Sequence, residues 1–100
     1  MWFVYLARCS DQTLYCGIAR DVAARIAEHD AGKGARYTRG RGPLEVLLVR
    51  RCRDQSRALR LEHAIKQLSH QAKHALVGDP RRLAAIARRF RRAGRTGQRG

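Results

Sequence analysis

The stretch Trp2-Phe3-Val4-Tyr5-Leu6-Ala7-Arg8-Cys9 constrains the fold most. It is almost wholly apolar and rich in β-formers, with no alternation of polar and apolar positions. Such a run predicts a central strand buried on both faces. Ser10-Asp11-Gln12 carries turn chemistry, and Thr13 to Ile18 is the returning strand. The length of this turn decides where two tyrosines point, because faces alternate along a strand and opposed residues share a face. A three-residue connection sets Cys9 opposite Thr13, Tyr5 opposite Gly17 and Tyr15 opposite Ala7, so both tyrosines share a face. A regular two- or four-residue loop would separate them unless a bulge intervened. Gly17 opposite Tyr5 is expected to leave room for a phosphate and a water.

Asp21 is placed to cap a helix running to Ala31, with Val22, Ala23, Ile26 and Ala27 as its inner stripe and Gly32 as its stop. Arg25 and His29 lie four residues apart, on one helical face. A tyrosine, a guanidinium and an imidazole thus approach one sheet edge, an arrangement suited to phosphate. An ordinary strand-turn-helix with a solvated Arg and His fits the same residues. Gly32 to Pro43 is a basic loop with four glycines, in which Lys33, Arg36, Arg39 and Arg41 supply charge and Tyr37 a hydroxyl or stacking face. It lacks the Walker A pattern.

Leu44 to Arg50 predicts a third strand. Asp54 or Ser56 then caps a helix to about Leu68, with Ala58, Leu61, Ile65 and Leu68 as its apolar stripe. Glu62 borders that stripe, where a carboxylate is costly unless paired or metal-bound. A partner for it stands at Lys66, at the favourable i to i+4 spacing. His70 and His74 share a face of a short helix but have no evident third ligand. Asp79-Pro80 opens a last helix to about Arg92, with Leu83, Ile86, Ala87 and Phe90 inward and arginines elsewhere. The expected fold class is α+β: a small three-stranded antiparallel sheet flanked by helices, a leading β-hairpin followed by helix, strand and C-terminal helices. Residues 1–78 form the domain, 79–93 a basic amphipathic helix and 94–100 a disordered basic tail.

The 22 Lys and Arg against 8 Asp and Glu give a net charge of +14 and pI near 11.5. Nearly all the positive charge is Arg, which suits bidentate phosphate contacts. Nucleic acid is the expected partner rather than a membrane, and no apolar run approaches the ~18 residues of a membrane span. An arginine-rich coding bias would give the same composition. The amino terminus shows no signal-peptide pattern. Cys9, Cys16 and Cys52 are odd in number and lack a Cys-x-x-Cys pair, which fits a reducing cytoplasm.

The order of elements, with Tyr5, Tyr15-Cys16-Gly17, Arg25, His29, Tyr37 and Glu62 along it, resembles the GIY-YIG nuclease family, in particular its small stand-alone bacterial members related to Slx-type structure-specific endonucleases. The resemblance covers residues 2 to about 77. Val4-Tyr5-Leu6 matches the first motif and Tyr15-Cys16-Gly17 the second. Phe3, Val4 and Cys16 depart from the usual residues at packing positions. The resemblance implies a metal-dependent endonuclease that hydrolyses phosphodiester bonds, with DNA favoured over RNA. Tyr5, Tyr15, Arg25 and His29 would be catalytic. Glu62 would hold one divalent metal, Mg or Mn. Lys33, Arg36, Tyr37, Arg39 and Arg41 would bind nucleic acid. Tyr5 and His29 both remain candidates for the general base. A non-catalytic nucleic-acid-binding module on the same fold, with Glu62 merely paired to Lys66, is the alternative.

Overall fold

A computed structural model describes residues 1–32 and 42–99, with side chains through Arg89. The expected nucleic-acid-binding residues Lys33, Arg36, Tyr37, Arg39 and Arg41 lie outside the described residues. The elements are β1 (Trp2–Arg8), β2 (Leu14–Ala19), α1 (Val22–Asp30), β3 (Glu45–Cys52), α2 (Gln55–Lys66), α3 (His70–Leu76) and α4 (Pro80–Arg99). The strands form one sheet in the order β2-β1-β3, antiparallel at both junctions. The apolar run is therefore the central strand, and Val4, Tyr5, Leu6, Ala7 and Cys9 are buried from both sides.

The hairpin closes through the odd-numbered turn. Gln12 N–H donates to the Cys9 carbonyl at 3.0 Å, and Cys9 N–H donates to the Thr13 carbonyl at 2.8 Å. Gln12 sits at φ 72, the left-handed position that ends a three-residue hairpin loop. The Asp11 carboxylate accepts from the Thr13 amide and hydroxyl, which fixes the exit. As expected, Tyr5 pairs with Gly17 and Ala7 with Tyr15. On the other side, Leu6 opposes Leu48 but Ala7 opposes Val46, which leaves Leu47 as the extra residue of a bulge.

Alternation along β1 divides the core between two faces. Val4 and Leu6 pack with Leu14 and Cys16 against Ala58, Leu61, Ile65, Leu76, Leu83 and Ile86, contributed by α2, α3 and α4. Tyr5, Ala7 and Cys9 pack on the opposite face with Ala19 and Leu44, beneath Tyr15, Val22 and Ile26. The sheet is thus covered by α1 on one side and the later helices on the other. The four helices begin at side-chain caps. Asp21, Asp54, Ser69 and Asp79 accept from the amides of Ala24, Arg57, Ala72 and Arg82. Among the described residues, no helix is long and apolar enough to cross a membrane.

Two expectations change. Helix α1 turns Val22, Ile26 and His29 toward the sheet, while Ala23 and Ala27 face solvent. Burying two methyl groups gains little beside burying Val and Ile, and His29 finds a polar partner inside. The backbone of α4 continues as helix to Arg99, beyond the expected end near Arg92 and through the segment expected to be disordered. Ala and Arg are strong helix formers, so only the roughly 1 kcal/mol penalties at Gly94 and Gly97 oppose continuation.

The strained hairpin position yields a stability prediction. Gln12→Gly removes a Cβ from a left-handed residue that costs about 1–2 kcal/mol, offset by the entropy glycine loses on folding. The variant is expected to melt a few degrees higher in thermal denaturation monitored by circular dichroism. An unchanged or lower Tm contradicts the assignment.

Candidate active site

Tyr5 reaches the α1 face of the sheet from the middle of the central strand, and its ring lies across Gly17 on the neighbouring strand. A Cβ on Gly17 would stand 2.7 Å from the Tyr5 hydroxyl and 3.0 Å from Cε2 of Tyr15. No larger residue fits without moving one of the two phenols. The space beside Gly17 is therefore filled by Tyr5 itself, and the sequence expectation of a vacancy for phosphate and water is corrected. The phenol is fixed in place by its own cross-strand partner.

The Tyr5 hydroxyl lies 3.2 Å from Nε2 of His29, inside the protein. His29 is 3% exposed and Tyr5 1%. The Tyr15 ring completes the cluster. Its centroid is 6.1 Å from that of Tyr5, and it meets the His29 imidazole edge-on at 5.3 Å. Tyr15 is half-buried and Arg25 is exposed, so these two form the solvent side of the cluster.

Burial decides the protonation states. It pushes the Tyr5 phenol well above its ordinary value, and the neighbouring Tyr15 adds to this. Arg25 pulls the other way, while Cys16 and Glu62 raise it further. Arg25 supplies positive charge to Tyr5, but desolvation outweighs it. Burial likewise raises Tyr15, against the pull of Lys66 and Arg25. His29 moves down, first because burial disfavours the imidazolium and then because Arg25 repels it. Glu28 and Asp30 oppose that shift. A phenol shifted up and an imidazole shifted down are both neutral near pH 7. One proton lies between the phenol oxygen and Nε2, and the His29 tautomer sets which of the two donates it.

Glu62 approaches from α2, on the other side of the sheet. Its side chain is 16% exposed, and a carboxylate oxygen lies 3.5 Å from Nζ of Lys66. The i to i+4 pair considered from spacing is thus formed. Glu62 also raises both phenols, and it contributes to the shift of the Cys16 thiol, which is pushed up to about 12, mainly by burial. Its charge is therefore felt from β1 and β2 alike. Among the described residues no three His, Cys, Asp or Glu side chains gather into a metal cage. A lone, half-buried carboxylate suits a hard cation such as Mg²⁺ or Mn²⁺. Such an ion keeps several waters and takes its remaining oxygens from substrate. It does not suit tetrahedral zinc.

The structure brings together Tyr5, Tyr15 and His29, with Arg25 and Glu62 in electrostatic reach of both phenols. His70 and His74 stack on each other at 6.3 Å on α3. The sequence reading missed Asp30, whose carboxylate accepts from the Leu44 amide at 2.9 Å and ties the end of α1 to the start of β3. A signal was present: an acidic residue in the last turn of a helix opposes the helix dipole and calls for a local reason.

The GIY-YIG catalytic domain profile matches residues 1–75, a span holding all five of these residues. The chain belongs to the GIY-YIG family. A UPF0213 protein of Desulfotalea psychrophila is 52% identical over 77 residues, covering 76% of this chain and 70% of that protein. One from Natronomonas pharaonis is 49% identical over 77 residues, covering 77% and 91%. The solution NMR structure of a UPF0213 protein from Bacillus halodurans is 40% identical. It covers 78% of this chain and 84% of its own, with a TM-score of 0.51. In this GIY-YIG chain, α4 lies beyond the matched domain.

The buried imidazole carries a pH signature. An unfolded histidine titrates near its ordinary 6.5, and folded His29 titrates lower. Between those two values the unfolded chain binds more protons, so stability falls as pH drops below about 6.5. Urea unfolding from pH 7.5 to 5 is expected to show this loss, and His29→Gln is expected to flatten it. An equal pH dependence in the variant would contradict burial of a neutral imidazole.

Proposed function

We propose that this chain is a metal-dependent endonuclease that hydrolyses phosphodiester bonds in nucleic acid, most favourably structured or single-stranded DNA. The observation that carries this reading is the buried Tyr5–His29 hydrogen bond, with Tyr15 packed on it and Arg25 at its rim. Hydrolysis of a phosphodiester needs an aligned water, a destination for its proton and neutralisation of charge on the phosphorus oxygens.

The chain's own residues meet these needs in turn. Arg25 is exposed, permanently charged and able to grip two non-bridging oxygens with one guanidinium. Tyr15, half-buried beside it, offers a hydroxyl to the same phosphate. Tyr5 is held as a neutral phenol, so it does not act as a phenolate. Once a water is admitted past the half-buried Tyr15, the Tyr5 oxygen accepts that water's proton as its own proton passes to Nε2 of His29. In this reading Tyr5 orients the water and His29 is the base. The lowered affinity of His29 for a proton keeps Nε2 free to receive one near neutral pH. Glu62 would hold one Mg²⁺ or Mn²⁺, which when bound neutralises charge on the phosphate and the leaving oxygen. DNA is preferred to RNA on the likeness to structure-specific nucleases. Three buried free cysteines fit a reducing, cytoplasmic setting.

The Glu62–Lys66 pair favours a second reading, a non-catalytic nucleic-acid-binding module in which that carboxylate is only a counter-ion. Cleavage of labelled branched, nicked and single-stranded DNAs in Mg²⁺ or Mn²⁺, and in EDTA, separates the two. Cleavage is expected with metal and lost in EDTA. Glu62→Gln is expected to lower the rate by at least about 10²-fold, the scale of losing one charge-stabilising group, with binding nearly unchanged. Retained turnover in Glu62→Gln would exclude it as the metal ligand. Binding without cleavage by the native chain would support the module.

A further inference from the structure

A second concentration of positive charge lies away from the tyrosines. Where β3 ends and α2 begins, beside α4, a cleft of about 270 Å³ is lined by Arg50, Arg51, Arg53, Arg57 and Arg88, with Leu61 in its wall. The arginines come from three separate elements, so their convergence is a product of the fold rather than of one basic run. Among the described residues, no acidic side chain lines the cleft. The adjacent carboxylate, Asp54, is already committed, since it caps α2 through the Arg57 amide and pairs with the Arg57 guanidinium. Among the described residues, Arg50, Arg51, Arg53 and Arg88 form no ion pair.

Like charges gathered around a concave surface repel one another and focus a positive potential into it. A carboxylate or phosphate entering there relieves the repulsion, and guanidinium forks match phosphate oxygens in pairs. The volume falls just below the ~300–1,000 Å³ of pockets that enclose a whole small ligand, which favours phosphates passing through over an engulfed nucleotide. Arg57 and Glu62 share α2, and five residues of helix rise about 7.5 Å.

We propose that this arginine cleft is a second backbone-binding site, which holds phosphates of the bound nucleic acid away from the scissile position. The word scissile rests on the endonuclease reading above; the binding does not. It makes affinity depend on nucleic-acid length beyond what the tyrosine cluster spans.

The test is the salt dependence of binding to a labelled 30-nucleotide DNA duplex, measured by fluorescence anisotropy without added metal so that nothing is cut. Each backbone contact contributes about 0.9 to the slope of log K against log salt. Arg53→Ala/Arg88→Ala is expected to reduce that slope by about 1.8, two such contacts. Arg20→Ala/Arg60→Ala removes the same charge from exposed positions outside the cleft and is expected to change it by less than half as much. All four side chains are exposed; only Arg20 has a ring contact, its guanidinium 5.8 Å from the Trp2 centroid, so the cleft variant is expected to keep the native Tm and the control to lose at most a few degrees. Equal changes in the two variants would overturn the proposal, because general charge would then explain binding. So would an unchanged slope in the cleft variant. A parallel titration with ATP separates a free nucleotide from a polymer: if the cleft substitutions abolish ATP binding and spare the duplex, the site serves a small phosphate ligand and the proposal fails. Loss of slope in a chain that never cleaves DNA would leave this site standing and overturn only the endonuclease reading.

Discussion

The packing of Tyr5 on Gly17 is the contact on which the rest of the site depends. A ring from the central strand lies across the backbone of the neighbouring strand, with its hydroxyl where a Cβ would otherwise stand. This demands glycine at one position, an antiparallel partner in one register and a hairpin with an odd loop. A slip of one residue would turn Tyr15 to the face occupied by Leu14 and Cys16. The Gln12 turn, the Asp11 bonds to Thr13 and the Tyr5–Gly17 pair therefore act on one geometric requirement. The helix that follows β2 needs only a short link to set His29 over the fixed phenol.

That placement has electrostatic consequences. A solvent-exposed tyrosine and histidine would leave both protonation states open to the surrounding charges. Sealed between α1 and the sheet, they are driven toward their neutral forms, and the nearby Arg25 lowers the proton affinity of both, which opposes neutrality in the phenol and supports it in the imidazole. It draws the phenol down and repels a proton from the imidazole. Burial is the larger influence on each. The positive charge that dominates the composition is thus kept at the rim of the cluster and in the β3–α4 cleft, while the interior pair stays uncharged. On the proposed reading, this arrangement lets one chain attract a polyanion and keep an unprotonated base beneath its surface.

Much of this was legible in the sequence, for identifiable reasons. The unbroken apolar run could only be a strand covered on both faces, and three turn residues fixed which face each tyrosine takes. The caps at Asp21 and Asp79 are local chemistry and appear where the sequence put them, and of the two caps it offered for α2, Asp54 is the one formed. The inner face of α1 was misjudged because apolarity alone ranks Ala23 and Ala27 above His29, whereas a buried partner reverses the order. Gly17 was right as a requirement and wrong as a vacancy, since spacing cannot show whether a neighbouring ring or a ligand takes the freed volume. The arginine cleft was hidden because Arg50, Arg57 and Arg88 are far apart in the chain and only the packing of α4 joins them.

The central claim is that Tyr5 donates a hydrogen bond to a neutral His29. The most direct test is the ¹⁵N NMR spectrum of the His29 ring at pH 7, recorded for the native chain and for Tyr5→Phe. A neutral ring protonated on Nδ1 is expected, with Nε2 as the acceptor and its resonance displaced when the phenol is removed. An imidazolium at that pH, a proton residing on Nε2, or an Nε2 resonance indifferent to Tyr5→Phe would contradict it.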